Sequence, residues 1–239
     1  MGEKVTEARF LRVLDDIAPL FSQLGFAPTE PAVFFRQRGE IEQGLFLTPN
    51  PSYTHFTVEV GVNVPAVVAR SDYVDFGHGG RCASLLVSRP LGLLRSDLQG
   101  ERTFYHFATV EEMREKFVQV YSDFVEQAEP WLARLTTIEE VAKEFFKWRV
   151  APPSTGEIRR PDPFAWAIYG WLLQESGHEV DARPWLVRAY EYLQQPDHMK
   201  AGRLVPRGTP GSRPIPRRAE ENRLMELVKK DLRDDKEQR

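Results

Sequence analysis

A single cysteine, Cys82, stands in the 239 residues of this chain. It has no partner for an internal disulfide and no second thiol for a redox pair. It reads as a buried structural thiol in a reducing compartment. Long hydrophobic runs are also lacking. No stretch approaches the roughly 18 apolar residues that a membrane span requires, and no apolar segment follows the charged opening MGEKVTEARF. The expected location is the cytoplasm. Linear catalytic signatures are missing too: there is no G-x-S-x-G elbow, Walker loop, G-x-G-x-x-G, H-E-x-x-H or C-x-x-C. None of the five histidines (His55, His78, His106, His178, His198) lies at metal-ligand spacing from another His, Cys or Glu. The sequence therefore calls for no metal, no cofactor and no catalytic residue. Asp72, Asp75 and His78 share one loop and read as solvated charges, and Gly77-His78-Gly79-Gly80 reads as a flexible loop.

What is present suffices for a core, since 41% of the residues are apolar and no staple is needed at this length. The clearest pattern is a strand. Phe56, Val58, Val60, Val62 and Val64 alternate with Thr57, Glu59, Gly61 and Asn63, which specifies an antiparallel sheet with one covered face. Further strands are expected over Ala32–Arg38, Ile41–Leu47 and Cys82–Ser88, separated by Gly39-Glu40, Pro49-Asn50-Pro51 and a glycine-rich loop. Phe10, Leu14, Ile17, Phe21 and Leu24 recur at helical spacing, with Pro19 inside and Gly25 as the expected C′ residue. Thr109 and Glu112 have capping-box spacing before a stripe of Val110, Met113, Phe117, Val120, Phe124 and Trp131. Thr136 and Glu139 repeat that box before Ile138, Val141, Phe145 and Phe146. The expected class is α+β: a small antiparallel sheet with helices packed on one face, then a C-terminal helical hairpin and a terminal helix.

The domain reading places an α+β domain at 1–150, a helical hairpin docked on it at 162–196, a disordered basic linker at 199–218 and a terminal helix at 219–235. Lys200, Arg203, Arg207, Arg213, Arg217 and Arg218 make the linker basic, and four prolines and three glycines leave it little to bury. The polar sheet face, with Phe34, Arg36, Arg38, Thr57 and Glu59, is the first candidate contact patch if it is open. The outer side of the hairpin around Arg183 and Arg188 is the second.

Two resemblances add to this. Leu24-Gly25-Phe26, Phe34-Phe35-Arg36, the strand Phe56-Thr57-Val58-Glu59-Val60-Gly61-Val62 and Pro130-Trp131-Leu132 together resemble the DUF4304 family of small bacterial domains, over about residues 10–146. That family has no assigned activity, and some members sit in toxin–immunity neighbourhoods. The resemblance thus implies protein binding, of an immunity-like kind, rather than catalysis. Trp166, Tyr169, Gly170, Leu173, Gly177, Ala182, Leu186, Ala189 and Pro196 resemble one tetratricopeptide repeat. One repeat cannot bury its own apolar face and needs a neighbour. The expected function is non-catalytic binding of another protein. The alternatives are a nucleic-acid-associated accessory protein using the basic linker, whose cations would neutralise phosphates, and an enzyme without a linear motif.

Overall fold

The computed structural model describes residues 3–71, 85–94, 104–151, 162–195, 198–200, 203–205, 213–214 and 219–237. Cys82 and the loop holding Asp72, Asp75 and His78 lie outside the described residues. In chain order the elements are α1 (Glu7–Gln23), β1 (Ala27–Glu30), β2 (Val33–Arg38), β3 (Ile41–Pro49), β4 (His55–Asn63), α2 (Pro65–Ser71), β5 (Val87–Pro90), α3 (Leu91–Leu94), β6 (Tyr105–His106), α4 (Val110–Asp123), α5 (Glu129–Leu132), α6 (Ile138–Phe145), α7 (Pro163–Glu175), α8 (Glu179–Gln194), β7 (His198–Lys200), β8 (Arg203–Val205), β9 (Arg213–Pro214) and α9 (Ala219–Glu237). The class is α+β. The chain divides into two compact units, one from the described residues of 1–65 and 76–141, the other from those of 66–75 and 142–239. The expected boundary near Val150 therefore moves back into α6, because Phe146 packs on Tyr169 and Trp185 of the second unit.

In the first unit the strands run β1-β2-β3-β4-β5, with β6 pairing the start of β4 beside β5. All pairings are antiparallel. The register sets the faces. Phe34 stands opposite Leu45, and Leu45 opposite Val60, so these residues share one side of the pleat. That side is the core. Val58 and Val60 are buried there as the alternation predicts. The rings of Phe56 and Phe117 stack at 4.8 Å, and Phe21 meets Phe34 at 5.5 Å. α1 and α4 supply the facing stripes, including Phe10, Ile17, Phe21, Met113, Phe117 and Val120. The other side also carries buried apolar residues, Val33, Phe46 and Leu85, with Phe35 packed against them. Gly44 and Gly61 are paired there, and a Cβ on Gly61 would fall 2.3 Å from the carbonyl oxygen of Val87. The glycines let β5 and Leu85 approach the sheet closely.

The helix ends follow local chemistry. Gly25 takes φ +85° after α1, as a C′ glycine should, and the helix runs through Pro19 without ending. Thr109 caps α4 by accepting from the Glu112 amide at 3.2 Å, while the Glu112 carboxylate accepts from the Ala108 amide at 2.6 Å. Pro130 has no N–H to donate, and the preceding turn widens so that the Glu129 amide bonds the Phe124 carbonyl. The second cap sits one residue later than expected. Thr137 accepts from the Glu140 amide, and the Glu140 carboxylate gathers the amides and hydroxyls of Thr136 and Thr137. Those hydrogen bonds, the Thr136 amide foremost, hold the Glu140 carboxyl below its ordinary range.

In the second unit α7 and α8 form a helical hairpin joined through Gly177 at φ +82°. Ala182, Leu186, Ala189 and Leu193 bury one face of α8. Leu186 lies against Gly170, where a Cβ would come within 2.8 Å of its side chain. α9 joins them through Leu224 and Val228, both buried, and through Trp171 Nε1, which donates to Asp231 at 2.6 Å. The segment expected to be a disordered linker contains three short strands in the order β8-β7-β9. Composition reports what side chains can bury, whereas strand pairing satisfies backbone groups and needs little side-chain burial. The remaining residues of 199–218 lie outside the described set.

Candidate functional site

The first candidate patch is not a surface. Phe34 is 2% and Arg36 5% exposed, because the register puts them on the core side with Val60. Arg36 makes four hydrogen bonds there. Its Nε donates to Gln43 Oε1 at 2.7 Å, its Nη1 to the Leu24 carbonyl and to Glu129 Oε1 at 2.8 Å each, and its Nη2 to Glu129 Oε2 at 2.7 Å. Gln43 Nε2 donates onward to the Leu132 carbonyl at 2.9 Å. The guanidinium also lies 4.4 Å from the Phe26 ring centroid. This network fastens the sheet to the end of α1 and to α5, where both helices leave carbonyls without intrahelical donors. It is a structural clamp. Arg38, two residues on, is exposed, and Glu59 is half-buried on the opposite side of the sheet beside Pro90. The four residues therefore do not form one contact face.

The second candidate patch is a surface, built by helical spacing. Trp185, Arg188 and Tyr192 follow one another at i, i+3 and i+7 along α8, beside Trp166 and Tyr169 of α7. The Arg188 guanidinium lies 4.2 Å from the Trp166 ring centroid and 5.6 Å from that of Trp185. Edge-to-face contacts continue the layer: Trp166 with Tyr192 at 5.7 Å, and Trp185 with Tyr169 at 5.2 Å and Phe146 at 5.8 Å. Burial, and then the Asp181 carboxylate, push the Tyr169 phenol above its ordinary value. Arg188 is exposed, and Trp185, Tyr169, Tyr192 and Phe146 are half-buried. A guanidinium stacked on a ring keeps its in-plane N–H groups for a carboxylate. Among the described residues Arg188 forms no ion pair. Arg183 points away from this layer in sequence terms, at the spacing of Val187 and Tyr190, and with them lines a cleft against α9. The aromatic layer was present in the sequence as Trp166, Trp185 and Tyr192, but nothing in their spacing said that Arg188 would cover them.

The first unit has an open cleft of about 580 Å³ lined by Lys4, Val5, Ser52, Tyr53, Thr54, His106, Phe107, Ala108 and Glu112. Tyr53 reaches it from a left-handed backbone conformation, φ +51°, in the β3–β4 turn where the Asn50 side chain accepts from the amides of Thr54 and His55. Its ring packs 6.0 Å from Phe10. His106 sits opposite His55 across β4 and β6, ring centroids 5.1 Å apart, with Phe104 beside both. The Glu112 carboxylate is occupied by the α4 cap. Among the described residues no group of three or more His, Cys, Asp or Glu could hold a metal ion, and no helix is long and apolar enough to cross a membrane. In comparisons with known proteins the chain matches no family model, no curated protein and no solved structure.

Proposed function

We propose that this chain is a non-catalytic protein-binding protein acting in the cytoplasm, and that its second unit offers the Trp166–Trp185–Arg188 layer to an acidic partner. The observation that carries this is Arg188, exposed and stacked on two tryptophans. Trp, Tyr and Arg are the residues that dominate binding energy at protein interfaces. A stacked guanidinium has lost part of its rotamer freedom before binding, so less is lost on association. The charge of the unit selects the partner: its residues include twenty Lys or Arg against seventeen Asp or Glu, a net of +3. A toxin-neutralising role, which the family resemblance implies, is one form of such binding.

Affinity capture with the full chain from its native host, after nuclease treatment, should recover one acidic protein at near-equal stoichiometry. Arg188→Glu should abolish that recovery with the melting temperature little changed, and Trp185→Ala should weaken it while also lowering stability, since its ring packs on Tyr169 and Phe146. Retention of the complex by a folded Arg188→Glu variant would remove this face from consideration. A second reading, nucleic-acid association, is supported by the same positive net charge. In a parallel capture without nuclease it expects recovery of nucleic acid without protein, lost when residues 199–218 are deleted. Turnover of a small molecule that His106→Ala or His55→Ala abolishes would replace both readings with an enzyme.

A further inference from the structure

His55 of β4 and His106 of β6 stand directly opposite each other in the first unit. One step along that ladder the Phe107 amide donates to the Thr54 carbonyl at 3.0 Å. His55 and His106 are therefore a non-hydrogen-bonded pair, the kind whose side chains stand closest. Their neighbours Phe56 and Tyr105 are buried on the core side, so both imidazoles lie on the other side of the sheet. His106 is exposed and His55 half-buried. The ring centroids are 5.1 Å apart, with the ring planes tilted by 50°. Two imidazoles on one tetrahedral ion, each bound at about 2.0–2.1 Å, have centroids about 5 Å apart. The pair thus has the separation of a chelate before any ion arrives. Among the described residues neither ring makes a hydrogen bond or an ion pair, so no partner has to be displaced. Phe104 lies edge-to-face with His55 at 5.3 Å and 6.1 Å from His106. It walls one side of the pair and restrains both rings. The His55 amide is fastened to the Asn50 side chain at 3.1 Å, so that ligand starts from a fixed backbone.

We propose that His55 and His106 chelate one divalent ion of the nickel, copper and zinc group, with water in the remaining positions. Imidazole nitrogen suits those ions, whereas magnesium and calcium require oxygen ligands. β6 is two residues long, and an ion bound by one ligand from each strand staples it to β4. The proposal stands apart from the Arg188 layer, which belongs to the second unit.

The test is titration of the full chain, carrying no histidine tag, with the chlorides of zinc, nickel and magnesium. Calorimetry and the melting temperature are the readouts, and the cupric form is read by electron paramagnetic resonance. Zinc and nickel should each bind and raise the melting temperature, reversibly on adding a chelator, because an ion that binds only the folded chain stabilises it. Magnesium should do neither. The cupric spectrum should show two nitrogen ligands. His55→Ala and His106→Ala should each weaken zinc binding at least about tenfold, since a single remaining donor cannot chelate. The exposed His106 decides the case if His55→Ala disturbs the strand. His178→Ala removes a histidine that lies 3.9 Å from the Asp181 carboxylate in the second unit, and it should leave binding intact. Three results overturn the proposal: a zinc response no larger than that to magnesium, undiminished binding by folded His106→Ala, or loss of binding in His178→Ala alone.

Discussion

Two arginines of this protein lie over aromatic rings at nearly the same distance and serve opposite ends. Arg36 sits 4.4 Å from the Phe26 centroid in the first unit, Arg188 4.2 Å from the Trp166 centroid in the second. Arg36 is buried beside α5, with Glu129, Gln43 and a helix-end carbonyl accepting its hydrogen bonds. Arg188 keeps the ring and has open solvent at its edge. The stacking is common to both, so it cannot be what separates clamp from contact residue. The in-plane partners separate them: a guanidinium whose donors are spent inside holds elements together, and one whose donors are left at the surface can recruit a carboxylate. The surroundings differ in the same sense. The residues of the first unit include twelve Lys or Arg against eighteen Asp or Glu, a net of −6, against +3 for the second.

The contrast can be broken from either side. The largest effect should follow from placing an unpaired charge in the interior that tolerates Arg36 only because it is paired. Val60→Asp should abolish the cooperative unfolding transition of the first unit in circular dichroism, because an isolated buried carboxylate costs several kcal/mol, roughly what the unit has to spare. Next is the clamp itself. Arg36→Ala should destabilise by about 3–5 kcal/mol in denaturant titration, and Arg36→Ala combined with Glu129→Ala by less than the sum of the two single changes. An effect under about 1 kcal/mol would mean that Arg36 is as dispensable as a surface arginine.

Gly61→Ala follows. The new Cβ cannot share space with the Val87 carbonyl, so the expected loss is about 1–3 kcal/mol, the usual cost of overpacking. Thr137→Ala should cost about 1 kcal/mol as a lost cap. Its partner gives a pH signature. The folded-state carboxyl of Glu140 titrates below its unfolded value, so its contribution is complete above the unfolded value and disappears as pH falls through the folded one. Glu140→Gln should therefore reduce stability at neutral pH and make little difference in strong acid. The smallest effect belongs to Arg188→Ala, which should stay within about 1 kcal/mol of the parent while losing partner capture. A loss comparable to that of Arg36→Ala would assign Arg188 to the fold instead.

The sequence alone determined everything that depends on one element's period or on a local turn. The alternation from Phe56 to Val64 named the buried side of β4, and the stripes of α1 and α4 named the residues facing it. Gly25, Thr109–Glu112 and the α7–α8 hairpin with Gly177 were legible for the same reason: each is decided by φ/ψ preference or by neighbours within four residues. Pairing between strands is not local. Whether Phe34 and Arg36 shared a side with Val60 or with Glu59 depended on a register running through Leu45 and Gln43, and a slip of one residue reverses every face. A charged residue in a strand reads as solvent-facing until something buried is known to meet it. For Arg36 that partner is Glu129, 93 residues away, in a turn displaced by Pro130. The strands at 198–200, 203–205 and 213–214 carry no signal in the sequence, because backbone pairing leaves no mark in apolar periodicity. The two arginines look alike in sequence. Only the tertiary structure decided which one was enclosed, because enclosure depends on what the rest of the chain brings to within hydrogen-bonding distance.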